Sequence, residues 1–162
     1  MKKPIAIALF TLVLASPCLA QDARYPSLIG DWQGSYYCAQ GHTGLTLTIT
    51  AQSGKAFSGL FHFYAAPDNA DVPEGCFTVS GRFVSRHQLV IDGANWITHP
   101  KDYITVDLDG VLGDSAAGSA IAGTVLMPGK FRDVHLCTTF RVTKAPGPPN
   151  VDKACQSDTA SR

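Results

Sequence analysis

The stretch that most constrains this chain is Gly30 to Thr50, GDWQGSYYCAQGHTGLTLTIT. In Leu45-Thr46-Leu47-Thr48-Ile49-Thr50 every second residue is apolar and the residues between are threonine. Successive strand side chains point to opposite faces, so Leu45, Leu47 and Ile49 share a dry face and the threonines a wet one. β-branched Thr and Ile suit a pleated, half-buried surface. The segment before it alternates too, with Trp32, Gly34, Tyr36 and Cys38 on one face and Gln33, Ser35 and Tyr37 on the other. Gln40-Gly41-His42-Thr43-Gly44 supplies glycines for a hairpin connection. A strand, a turn and a second strand, each with one apolar face, is the unit around which the remainder closes.

The same period recurs along the chain. Strands are expected near 31–38, 45–52, 57–65, 76–84, 88–91, 103–112, 120–126 and 134–142. Phe57, Phe61, Phe63, Phe77, Phe83 and Phe140 all fall on inward faces in this reading, as does Leu136. Residues 92–102 are the least regular part, and no segment after residue 20 carries a helical period. About eight short strands with regular turn signals imply an all-β fold. Chain order with short links favours a single antiparallel up-and-down β-barrel of about eight strands. A barrel of that size is either filled by side chains or holds one small ligand. Closure also removes sheet edges. Ala145-Pro146-Gly147-Pro148-Pro149 cannot extend a strand and opens a polar tail. The expected division is residues 1–20, a barrel over 21–144, and a Pro-rich tail over 145–162.

The first 20 residues read as a cleaved signal peptide. Met1-Lys2-Lys3 is followed by a short apolar run and by Ser16-Pro17-Cys18-Leu19-Ala20, with the cut placed after Ala20. The rival is a lipoprotein signal on Cys18, which Pro17 fits poorly. Removing 20 of 162 residues leaves 142, enough for one domain with a core. Losing Lys2 and Lys3 takes the 13 basic side chains to 11, against 13 acidic ones. That balance argues against nucleic acid, and no Lys/Arg run suits an anionic membrane. The apolar N-terminal run is too short to span a bilayer. Export places the mature chain in the periplasm or outside the cell.

Cys38, Cys76, Cys137 and Cys155 remain, an even count that in an exported chain implies two disulfides. Three pairings are possible. Cys38 with Cys137 is preferred because the first and last strands of a closed barrel are neighbours, which leaves Cys76 with Cys155. Zinc is the rival use, but no C-x-x-C spacing occurs. No metal and no cofactor are expected.

Catalytic signals are thin. The histidines, His42, His62, His87, His99 and His135, lack metal-motif spacing and read as surface or rim residues. Ser115 lies in a small-residue loop, and no Gly-x-Ser-x-Gly elbow occurs. Asp107 and Asp109 could pair as glycosidase carboxylates, but a solvated outer strand face explains them more simply. Asn95 to Tyr103 is the candidate recognition segment, with Trp96, His99 and Tyr103 as binding residues. Loops carry function more often than scaffold does, and Trp and Tyr are favoured at interfaces. The alternative is a connection whose Trp96 plugs the barrel mouth.

Gly30-Asp31-Trp32 at the start of the first strand resembles the Gly-x-Trp signature of the lipocalins. That resemblance implies an eight-stranded barrel whose closed end is plugged by Trp32, with Arg141 packed across it by cation–π contact. Tyr36-Tyr37-Cys38, a Gly turn and Leu45-Thr46-Leu47-Thr48 are similar to the opening hairpin of periplasmic C-type lysozyme inhibitors. Those are disulfide-bearing barrels with a Ser-Gly-x-x-Tyr inhibitory loop. Here Ser80-Gly81-Arg82-Phe83 falls inside a strand instead. The expected function is therefore a non-enzymatic binding barrel for a small ligand or a protein partner at its rim. The alternative is an inhibitor or immunity protein against a wall hydrolase or toxin. An enzyme would need a cleft with a His or paired carboxylates in reach.

Overall fold

A computed structural model of the chain describes residues 25–156. The expected signal peptide, its cut at Ala20, Cys18 and the last residues of the tail lie outside them. Eight strands follow one another: β1 Gly30–Cys38, β2 Gly41–Ser53, β3 Ala56–Ala65, β4 Gly75–Phe83, β5 Gln88–Thr98, β6 Asp107–Ser115, β7 Gly118–Leu126 and β8 Thr139–Lys144. Each pairs with the next in antiparallel register, and β1 closes on β8 from Trp32↔Lys144 to Tyr36↔Phe140. The result is a closed up-and-down barrel, as the alternating pattern predicts.

The two ends differ. Connections β2–β3, β4–β5 and β6–β7 are short turns, whereas β3–β4, β5–β6 and β7–β8 are longer and share the opposite end with the β1–β2 turn. The short-turn end is sealed by the lead-in chain. Leu28 is fully buried there and its carbonyl accepts a 2.8 Å bond from Trp32 Nε1. Tyr25 stacks on Phe83 at 5.2 Å, and Phe57 packs edge-on to Phe83. Through the middle, Phe61 stacks on Phe77 at 4.6 Å, with Tyr36 edge-on to Phe61. All the phenylalanines expected to face inward are buried.

Closing a sheet of this size requires tight coiling, and glycines permit it. A Cβ at Gly59 would lie 2.0 Å from the Thr48 carbonyl oxygen, and one at Gly123 would lie 2.0 Å from that of Asp109. At both positions neighbouring backbones approach too closely for any side chain. A register shift between Ile49 and Ala51 adds curvature beside Gly59.

Several expected boundaries are corrected. The β1–β2 turn is Ala39-Gln40 alone, because Cys38 pairs with Gly41 and His42 and Thr43 are in strand. Residues 92–98, expected to be irregular, continue β5, with register shifts against β4. Only 88–91 of β5 pair with β6. The upper part of β5 therefore leaves a gap, filled by 103–106, which were expected to be strand. Gly93 makes room for that filling, since a Cβ there would be 2.6 Å from the Val106 carbonyl oxygen. Residues 134–138, also expected to be strand, form part of a long connection that begins with a 3₁₀ turn at Gly129–Phe131. Leu136, expected inside, is 50% exposed.

Cys38 is bonded to Cys137 and Cys76 to Cys155. Such bonds are consistent with an exported, oxidising environment. The second draws the tail back across the outside of the barrel. Asn150 N donates to Asp31 Oδ2 at 3.0 Å, and Thr98 Oγ1 donates to the Ala154 carbonyl at 2.7 Å. A 3₁₀ turn at Lys153–Cys155, capped by Asp152, ends this strap. Among the described residues no helix is long and apolar enough to cross a membrane.

Candidate functional site

The long-loop end holds a cavity of about 420 Å³. Its floor is the top of the aromatic core: Tyr36, Phe63 and Phe77. One wall is the Cys38–Cys137 disulfide with Met127, whose sulfur lies 3.7 Å from Cys137 Sγ. The opposite wall is Tyr103, Ile104 and Val106 from the β5–β6 connection. Leu136, Gln40 and Asp102 stand at the rim. Cavities of 300–1,000 Å³ with mostly apolar walls and a few placed polar groups are the usual form of small-molecule sites. The six inward phenylalanines thus fill the centre and the closed end, and the open end stays hollow.

The polar groups are few and fixed. Gln40 Nε2 donates to Tyr36 Oη at 3.0 Å. Burial pushes the Tyr36 phenol well above its ordinary pKa, nearby Tyr103 adds to this, and hydrogen bonds with Thr43 and Gln40 partly oppose it. Tyr36 therefore offers a neutral hydroxyl. Tyr103 is also raised by burial. Asp102 sits in the left-handed region at φ 65°, and turns the chain so that Tyr103 can face inward. The loop at 66–74 braces the rim, because Asn69 Nδ2 donates to the carbonyls of Gln40 and His42.

Trp96, His99 and Tyr103, predicted as binding residues, are brought together. Trp96 packs edge-on to Phe77 at 5.1 Å and stacks on His99 at 4.3 Å. His99 Nε2 is 2.8 Å from the Tyr103 carbonyl, and the Tyr103 ring stacks on Phe63 at 5.4 Å. Tyr103 lines the cavity, while Trp96 and His99 form a second layer that holds the loop in place. Trp96 lies on β5, not on a free loop.

Trp32 is buried at the closed end, but its cationic partner is Lys144, with Nζ 4.9 Å from the ring centroid. Arg141 pairs with Ser35, one position out of phase with the inward Phe140 and Val142, so it is exposed on the outer wall. Lys144 Nζ also donates to the Ile29 carbonyl at 2.6 Å, and burial lowers its pKa. Asp107 is not a solvated carboxylate. It is buried, accepts from Gly93 N at 3.0 Å and from Arg132 Nη2 at 3.1 Å, and ties the unpaired part of β5 to β6. Asp109 accepts from Gln88 Nε2. Ser115 closes its own turn by donating to the Gly118 carbonyl. Ser80 and Arg82 are outward positions of β4.

The histidines separate by environment. His87 and His135 are exposed. His42 Nδ1 is 2.6 Å from Asp68 Oδ1 and its ring stacks on Tyr37. His62, expected at the surface, is buried, with Nε2 2.8 Å from Glu74 Oε1. Of the cavity lining, sequence reasoning named only Tyr103 as a binding residue; Tyr36, Phe63 and Phe77 read as strand residues, Gln40 and Asp102 as turn or loop, and Ile104, Val106, Met127 and Leu136 were missed too. Ile104, Val106 and Leu136 read as core of strands that do not form there, and Met127 carries no pattern at all.

The architecture is consistent with a calycin-like barrel. No protein-family model, curated protein or solved structure matches the chain.

Proposed function

We propose that the chain is a non-enzymatic binding barrel that takes a small apolar or amphipathic ligand in its open-end cavity. The observation that carries this reading is the apolar hollow of about 420 Å³ above an otherwise filled core. The ligand's apolar body lies over Tyr36, Phe63 and Phe77, and a hydrogen-bonding end meets Tyr36 Oη, Gln40 or Asp102 at the rim. Binding transfers apolar surface out of water, worth roughly 25 cal/mol per Å² before ordering costs. This is also the role that the lipocalin resemblance implies.

The test is a fluorescence titration of the disulfide-bonded protein with N-phenyl-1-naphthylamine. Saturable binding of one fluorophore per chain is expected. Val106→Trp, which fills the hollow, weakens it at least tenfold, about 1.4 kcal/mol. Equal binding by both proteins refutes the reading.

A second reading is favoured by the exposure of Ile104, Phe131, Val134 and Leu136 around the same end. Exposed apolar clusters mark interaction sites. In this reading the rim docks a protein, such as a periplasmic hydrolase or toxin that the chain would inhibit. Phe131→Asp would then abolish a co-purifying complex and leave fluorophore binding intact, because Phe131 does not line the hollow.

A further inference from the structure

The outer wall carries a second, polar cleft of about 420 Å³, beneath the C-terminal strap. His62 on β3, Glu74 just before β4, and Asp152 on the strap converge in it. One ligand atom from each lies within 4.8 Å of the other two. His62 Nε2 is 2.8 Å from Glu74 Oε1 and 3.9 Å from Asp152 Oδ1. We propose that this triad is a binding site for a first-row divalent cation of the zinc type, and that the cation pins the strap to the barrel.

The geometry is the first support. Metal–ligand bonds of about 2.0–2.2 Å set neighbouring donor atoms roughly 2.8–3.6 Å apart in octahedral or tetrahedral sites. From His62 Nε2 the Glu74 oxygen stands at the near edge of that range, at 2.8 Å, and the Asp152 oxygen lies a few tenths of an ångström beyond its far edge, at 3.9 Å. The imidazole is the fixed member, at 8% side-chain exposure; Glu74 is 55% exposed, and Asp152, 51% exposed, is oriented by the 3.0 Å bond that its Oδ1 accepts from Ala154 N. One imidazole nitrogen with two carboxylate oxygens suits zinc and its first-row neighbours, and lacks the thiolate or thioether donors that select copper(I). Three protein donors leave coordination positions open, and the cleft lined by Gln33, Thr46 and Tyr64 has room for water on them.

The way the site is built is the second support. His62 occupies an outward position of β3, where a buried side chain needs something above it. The strap supplies that cover. Cys76 is the cross-strand partner of His62, and its bond to Cys155 holds the strap beside the imidazole. The disulfide therefore helps to assemble the site, together with the bonds of Asn150 to Asp31 and of Thr98 to Ala154. Conversely, a bound ion fixes Asp152, three residues before Cys155, and opposes release of the strap.

The experiment uses the disulfide-bonded chain, stripped with chelator and titrated calorimetrically with Zn²⁺. One ion per chain is expected. Glu74→Gln and Asp152→Asn, both at exposed positions where folding is preserved, weaken binding about tenfold or more. His42→Gln leaves it unchanged. Zn²⁺ also slows reduction of Cys76–Cys155 by the non-thiol reductant tris(2-carboxyethyl)phosphine in the wild type but not in Asp152→Asn. Absence of saturable binding, or equal affinity in Glu74→Gln and Asp152→Asn, overturns the proposal and leaves the triad as an ion pair that seats the strap.

Discussion

Individual residues set the limits of this barrel. Gly59 and Gly123 stand where a neighbouring carbonyl oxygen would be 2.0 Å from a Cβ, and both obstacles are backbone. Gly59→Ala or Gly123→Ala is expected to cost about 1–3 kcal/mol, the usual range for overpacking, read as a lower urea midpoint. Tyr36 makes a different prediction. Burial raises its folded pKa above the unfolded value of about 10, so its contribution is full below that pH. As pH rises past it, the unfolded chain ionises first and stability falls. Melting temperatures between pH 9 and 11 should drop less in Tyr36→Phe than in the wild type. Parallel curves would show that Tyr36 titrates freely. Residue identity was partly legible in sequence. Trp32 sits buried at the closed end, but its partner is Lys144 because β1–β8 register sets parity, and register between sequence-distant strands carries no local signal.

At the scale of elements, β3, β4, β7 and the Leu45–Ile49 body of β2 were legible because apolar residues recur at every second position, whereas the first four residues of β2 read as turn. β5 was not. Asp92-Gly93-Ala94-Asn95 reads as loop chemistry, yet pairing with β4 carries the strand through it to Thr98. The reverse holds for 134–138. Val134 and Leu136 alternate with polar residues, but β8 finds ladder partners on β1 and β7 only from Thr139 onward. Packing overrides pattern in both places. The strap is the element with the least local signal, a Pro-rich tail given structure by one covalent bond and by Thr98, Asp31 and Asp152. Cys76→Ser with Cys155→Ser opens a loop with a sequence separation of 79. The double variant should lose about 2–5 kcal/mol by urea unfolding while keeping its β circular dichroism. An unchanged midpoint would mean that the strap contributes nothing.

For the whole molecule, the decisive asymmetry is between a closed end plugged by Leu28, Trp32 and Phe83 and an open end built from longer connections. Loops on a rigid scaffold are where binding concentrates. The barrel itself could be read from strand count and short links. The hollow could not, because its walls come from four sequence-distant segments that meet only after closure, and its volume is a difference between packed and unpacked space. The most direct test is an amide nuclear magnetic resonance titration of the disulfide-bonded protein with N-phenyl-1-naphthylamine. The account predicts saturable shifts concentrated at Tyr36 to Gln40, Asp102 to Val106, Met127, and Leu136 to Cys137. Shifts confined to the outer wall, or none at saturating fluorophore, would contradict it.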